Sequence, residues 1–256
     1  MKEISELILK LIKFRKKMGL GLSLEKVKYI WGKRVVKSLD EDILLLLDKS
    51  ESKNIYIDQK LDIANLYKKK LLIFNWVKFI GVSGSVAAGF AKEEDDIDIF
   101  IVVKNDCVWL YRGLLVVKGL FNNVFRAKRH RENVRNKLCL NLICEERGVV
   151  FDNDLFTFHE LMYLIPIFNN EYLKHIYSQN PWLAEDFAVK KEIIFNRYKP
   201  SLNSNFVLKT LNYLSFCAQY IYMVLSRHSP CKKRLLENFN KGRIEFFDED
   251  YKQRFI

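Results

Sequence analysis

Apolar residues recur at helical spacing from the start of the chain. Ile4, Leu7, Ile8, Leu11 and Ile12 fall at i, i+3 and i+4, one stripe of a 3.6-residue period. The pattern predicts a helix over 2–17, closed by Gly19 and Gly21. Ser23 is placed to cap a second helix over 24–31, with Gly32 as its stop. A third is predicted over 36–47, followed by a polar turn at 49–54 and a short alternating stretch, Ile55-Tyr56-Ile57-Asp58, that reads as a β-ribbon arm. Residues 61–75 read as a linking helix. The period then drops to two: 77–82 and 96–103 are predicted strands, with a small-residue helix near 86–91 between them. Asp106 can cap a helix over 108–121, and 138–144 reads as a third strand. Thr157 to Glu160 has the form of a capping box opening a helix toward Ile165 and stopped by Pro166. Asn180-Pro181-Trp182 marks a junction, 206–227 and 232–240 predict two more helices, and the tail 243–256 alternates aromatics with charges.

The stretch 81–103, GVSGSVAAGFAKEEDDIDIFIVV, departs from simple patterning. A Gly84-Ser85 turn precedes two acids, Asp96 and Asp98, set inside a run of β-formers. Acids at i and i+2 of a strand point to one face, so these two can share metal ions. Ile97, Ile99, Ile101, Val102 and Val103 drive the opposite face and the strand's end into a core, which gives the carboxylates a rigid platform. Gly84, Ser85, Ala87, Ala88 and Gly89 are small enough to let a backbone approach a triphosphate closely. A lone Gly-Ser is usually just a turn and a lone Asp-x-Asp is often a solvent-facing edge; the order and spacing of the two give the signal.

Taken together, FIGVSGSVAAG and DDIDIFIVV resemble the nucleotidyltransferase motif of the DNA polymerase beta superfamily: hydrophobic-Gly-Ser, a spacer, then Asp-hydrophobic-Asp-hydrophobic. The resemblance implies a metal-dependent nucleotidyltransferase that moves a nucleoside monophosphate from an NTP to an acceptor hydroxyl. It implies that Gly84 and Ser85, with Gly89 nearby, hold the nucleotide's phosphates, and that Asp96 and Asp98 coordinate Mg²⁺ or Mn²⁺. The residue before the first acid, often Ser in the family, is Asp95 here. A third family carboxylate normally lies on the next strand. Strict alternation would put Cys139, Asn141, Ile143 and Glu145 on one face, leaving Asn141 and Glu145 as candidates. Asn141 is mid-strand but neutral, and an amide cannot take a proton near neutral pH; Glu145 is an acid, but at the strand's end. From the FIGVSGS segment through the CLN strand to the NPW junction, the chain is also similar to a group of bacterial and archaeal nucleotidyltransferase-domain proteins.

The expected fold class is α+β. A winged-helix-like domain is expected over 1–59, resting on the order of its elements, then a catalytic domain over 60–150 and a helical region over 151–256. In many nucleotidyltransferases such helices hold the base and the acceptor.

Charge sharpens the question of partners. The 256 residues carry a net charge of +12, which favours polyanions in a salt-dependent way. Arg126, Lys128, Arg129, Arg131, Arg135 and Lys137 are opposed only by Glu132. Arg126, Arg129, Arg131 and Arg135 are the candidate acceptor contacts, with RNA or tRNA the favoured nucleic acid, whereas Lys68 to Lys70 reads as a solvated face. The five cysteines form no C-x-x-C pair and the histidines no H-x-x-x-H spacing, so structural zinc and disulfides are not expected, and no histidine is given a catalytic role. No uncharged apolar run of membrane length and no signal-peptide pattern is present, which leads to the expectation of a cytoplasmic protein. Oligomeric state is not written in the sequence. Two other readings fit the same residues: a non-catalytic nucleic-acid-binding regulator with a residual site, and an antitoxin-like protein nucleotidylyltransferase.

Overall fold

The computed structural model describes residues 2–49, 54–122, 124–125, 134–195, 198, 206–225 and 232–245. Four helices open the chain, α1 (Lys2–Lys17), α2 (Leu24–Trp31), α3 (Lys33–Lys37) and α4 (Glu41–Leu45), followed by α5 (Ile55–Leu71). The α/β unit is β1 (Val77–Val82), α6 (Gly84–Ala88), β2 (Ile97–Val103), α7 (Val108–Asn122) and β3 (Leu138–Glu145). Then come α8 (Leu155–Tyr163), β4 (Ile165–Phe168), α9 (Asn170–Ser178), α10 (Trp182–Glu185), α11 (Lys191–Ile194), α12 (Phe206–Leu225), α13 (Lys232–Lys241) and β5 (Arg243–Glu245).

Several predicted boundaries follow from the caps. The Ser23 hydroxyl accepts from the Lys26 amide at 3.1 Å and so opens α2, as its position suggested. Asn54 does the same for α5, accepting from the Tyr56 amide at 3.0 Å. That cap draws Ile55 to Asp58 into a helix, and the ribbon arm expected there does not form. The helix expected over 36–47 is broken into α3 and α4. In α8 the cap is Asp154 rather than Thr157: its carboxylate accepts from the Thr157 amide at 2.7 Å and from the Thr157 hydroxyl at 3.1 Å. The helix ends at Tyr163, and Pro166 lies in β4.

The strands form one mixed sheet in the order β4-β1-β2-β3-β5. The β1–β2, β1–β4 and β3–β5 pairs are antiparallel, and β2–β3 is parallel. Pro166, which has no N–H to donate, sits in the edge strand β4, where such a residue is tolerated. Each face of the sheet carries its own core. On one face, Ile80, Val82, Ile97, Ile99, Ile101, Val103 and Ile143 pack with residues of α5, α7, α12 and α13, among them Ala64, Trp109, Tyr111, Phe216 and Leu235. On the other, Phe79, Phe100, Val102, Leu142 and Cys144 pack with Ile8, Leu11, Val27, Ile30, Trp31, Phe158, Tyr172 and Trp182. Residues from 1–59 and from 151–256 thus share one core against the sheet. Trp31 adds a hydrogen bond across it, donating its indole N–H to the Phe187 carbonyl at 2.8 Å. Among the described residues, no helix is long and apolar enough to cross a membrane.

Candidate active site

β2 is buried at every position except Asp98, so the strand is held from both faces and presents one half-buried carboxylate. The backbone of Ser83, just past β1, donates to the Asp98 carbonyl at 2.9 Å, which sets the following turn directly against that acid. Gly84 adopts φ +63°, and a Cβ placed there would lie 2.1 Å from Asp98 Oδ2. Both facts call for glycine: left-handed backbone is costly for other residues, and a methyl group has no room. Ser85 follows on the first turn of α6, and Gly89 ends that helix in the left-handed conformation at φ +99° with its amide donating to the Ser85 carbonyl at 3.1 Å.

Across the parallel ladder, Asp98 is paired with Cys139 of β3. Ligand atoms of Asp96, Asp98 and Cys139 lie within 4.8 Å of one another, and all three residues are half-buried. Two carboxylates and a sulfur at this spacing fit a divalent cation. The ladder shifts between Asp98 and Phe100: Asp98 faces Cys139, but Phe100 faces Leu142. β3 therefore takes three residues where β2 takes two, a bulge that resets its alternation. Leu142 and Cys144 join the Asp98 face while Ile143 turns to the other core, which corrects the strict alternation read from the sequence.

The loop carrying Asp96 is pinned from α5. Lys60 is only 1% exposed, and its ammonium donates to the carbonyls of Glu93 at 3.2 Å and Asp95 at 2.7 Å and to Asn136 Oδ1 at 3.0 Å. Burial lowers its pKa, with Asp95 opposing that shift. Asn54 also reaches this loop, donating to the Ala91 carbonyl at 2.9 Å. The Asp95 carboxylate accepts from the Lys92 amide at 2.9 Å and so closes the turn ahead of the acids. Arg135 pairs with Glu93 at 2.7 Å.

Glu160, on α8, reaches the Gly-Ser turn, and its Oε2 accepts from the Gly84 amide at 3.3 Å. It also lines a small cleft with Ser83, Phe100, Phe151, Asp152 and Arg243. Behind it, His159 is 1% exposed, with its Nδ1 3.5 Å from Glu160 Oε1 and its Nε2 3.0 Å from Arg15 Nη1. Arg15 can only donate, so Nε2 accepts and the ring is neutral; burial lowers its pKa in agreement. Arg15 extends the chain of contacts to the Ala88 carbonyl at 3.2 Å.

The remaining candidates fall elsewhere. Glu145 pairs with Val103 at the far end of β2, six residues along β3 from Cys139, or about 20 Å at the usual strand rise. It is fully buried. Its Oε1 accepts from the amides of Cys107 and Val108 at 3.1 and 3.3 Å, and its Oε2 forms an ion pair with Arg147 Nε at 2.8 Å. The structure does not bring it to the acid pair. Asn141 lies in β3 beside the bulge, and its side chain is outside the described set, as are Arg126, Arg129 and Arg131. Sequence reading passed over Glu160 and Lys60 and gave Cys139 no role. Lys60 carried a signal: it falls at i−4 from Ala64 and i−11 from Leu71, the buried stripe of α5.

A Gly-Ser turn pressed against a strand carboxylate, with a second acid two residues before it and a thiol beside it, makes this corner of the mixed sheet the candidate site for a divalent cation. Residues 67–138 match the family model of the nucleotidyltransferase domain, a span that holds β1, the turn, both acids and the approach to β3. The match supports placing the chain in the nucleotidyltransferase superfamily. Comparison with curated proteins and with solved structures gave no match.

Proposed function

We propose that the protein is a metal-dependent nucleotidyltransferase of the EC 2.7.7 type, moving a nucleoside monophosphate from an NTP such as ATP to an acceptor hydroxyl. The observation that carries this reading is the contact between Gly84 and Asp98 beside the Asp96, Asp98 and Cys139 cluster. The chemistry a cation would supply there is neutralisation of triphosphate charge. Asp96 and Asp98 would hold the cation, and the small residues Gly84 and Ser85 leave room for phosphate oxygens to reach the turn's amides. The acceptor oxygen attacks the α-phosphorus, a P–O bond forms, and the bond to pyrophosphate breaks.

Glu160 now holds the Gly84 amide that a phosphate would use. Like charges repel, so an arriving triphosphate turns this carboxylate toward the neighbouring cleft. There it is the group we assign to take the acceptor's proton, as a positioned carboxylate can.

The net charge of +12 and the arginines of 126–135 support RNA as the acceptor. The test is transfer of label from each α-labelled NTP, with Mg²⁺, Mn²⁺, Co²⁺ or Zn²⁺, to total RNA. Wild type should label RNA and the Asp96→Asn/Asp98→Asn variant should not. A label that appears on protein instead would favour the protein-modifying alternative. A second reading, a nucleic-acid-binding regulator that does not transfer, is favoured by one observation: Cys139 stands beside Asp98 on the strand where the family carries its third acid. Metal-dependent NTP binding without turnover on any acceptor would select it.

A further inference from the structure

We infer that Cys139 is the third ligand of a mixed carboxylate–thiolate centre, and that this centre selects a thiophilic divalent cation, Zn²⁺ or Co²⁺, over Mg²⁺. The inference rests on reading Asp96 and Asp98 as metal ligands.

The register carries it. Cys139 is the cross-strand partner of Asp98 in the parallel ladder, and its sulfur is within 4.8 Å of ligand oxygens of both acids. Ligands held about 2.0–2.3 Å from one Zn²⁺ stand at most roughly 4.6 Å apart, so small side-chain rotations suffice to close the set. Cys139 is half-buried, open enough for a cation to reach and sheltered enough to hold one. Two other cysteines, Cys107 and Cys144, are fully buried. Among the described residues, neither belongs to a set of candidate metal ligands as close as that of Asp96, Asp98 and Cys139.

Ligand chemistry then sets the metal. Mg²⁺ demands oxygen ligands in a near-ideal octahedron, and a sulfur in the third position denies it one. Zn²⁺ and Co²⁺ accept thiolate and carboxylate together. An O₂S set also leaves a coordination position for a substrate oxygen, as catalytic zinc sites do. On binding, the Cys139 S–H bond breaks, its proton goes to solvent, and a metal–sulfur bond forms.

The experiment is a titration of the metal-free full chain with Co²⁺, reading the near-ultraviolet thiolate-to-cobalt charge-transfer band, which needs no substrate and no turnover. Wild type should develop the band to saturation at one equivalent and keep it in a large excess of Mg²⁺. Cys139→Ser, close to isosteric at a half-buried position, should lose the band and bind Co²⁺ at least about tenfold more weakly. Cys139→Asp should lose the band and let Mg²⁺ displace Co²⁺ readily. Co²⁺ bound by wild type without a band would overturn the role of Cys139 and leave the acid pair standing. A band that persists at unchanged affinity in the Asp96→Asn/Asp98→Asn variant would remove the carboxylates from the site and overturn both readings.

Discussion

Replacing Glu145 should cost fold stability and spare nucleotide binding, the opposite of what a third catalytic acid would do. Its carboxylate is fully buried, accepts two amides at the start of α7 at 3.1 and 3.3 Å, and pairs with Arg147 at 2.8 Å. Glu145→Gln keeps an oxygen for the amides but loses the charge, and hydrogen bonds to a charged group exceed neutral ones by about 1–1.5 kcal/mol each. Two effects pull the sum down. Burial raises the pKa of Glu145, so desolvation already offsets part of the gain, and Arg147 is 51% exposed and regains water when its partner goes. The expected loss is about 1–2 kcal/mol for Gln. Glu145→Ala strips the acceptor from two amide donors, and at about 1–3 kcal/mol for each unsatisfied group the loss rises to about 3–5 kcal/mol. Urea unfolding with unchanged slope measures both, and metal-dependent NTP binding by the folded variants should stay within about twofold of wild type. A Glu145→Gln protein less than about 0.5 kcal/mol destabilised and yet unable to transfer label would refute this reasoning and restore Glu145 as the base.

Gly84→Ala should combine a left-handed backbone penalty of about 1–2 kcal/mol with displacement of Asp98, abolishing metal-dependent NTP binding in calorimetry. Gly89→Ala, also at positive φ but with no atom within 4 Å of the new methyl, should show the backbone penalty alone and keep that binding. Lys60→Met removes three hydrogen bonds from the loop before Asp96, with an expected cost of about 2–4 kcal/mol and weaker metal binding; unchanged metal affinity in the folded variant would show that the loop holds Asp96 without it. His159 is held neutral, its pKa lowered by burial, so the unfolded chain takes a proton near the ordinary imidazole pKa that the native state refuses. Stability should therefore fall as pH drops through about 6.5, with a slope of up to about 1.4 kcal/mol per unit for this proton. His159→Gln should flatten that slope, and His175, shifted the same way, should keep the remainder; a pH profile identical to wild type would contradict the assignment.

Elements with a local cause could be read from the chain. Ser23 capping α2, the strand over 77–82 and the small-residue turn between two strands are each specified within a few residues, and the structure repeats them nearly to the residue. Where the reading departed, a competing local group decided the outcome. Asn54 capped a helix through residues whose alternation suggested a strand, and Asp154 took the cap assigned to Thr157. The third position of the site was hidden for a different reason. Whether Asn141, Glu145 or Cys139 faces Asp98 depends on register between two strands separated by α7, and on one extra residue in β3, neither of which hydropathy encodes. Glu160 lay still further out of reach, since it meets Gly84 across a gap of 76 residues through the packing of α8. The chain announces the acids and the turn because one strand and one loop carry them. The residue that faces Asp98 is fixed by tertiary register, and the ladder sets the Cys139 thiol there where the motif led one to expect a carboxylate, which is why the proposed preference for a thiophilic cation rests on ligand chemistry.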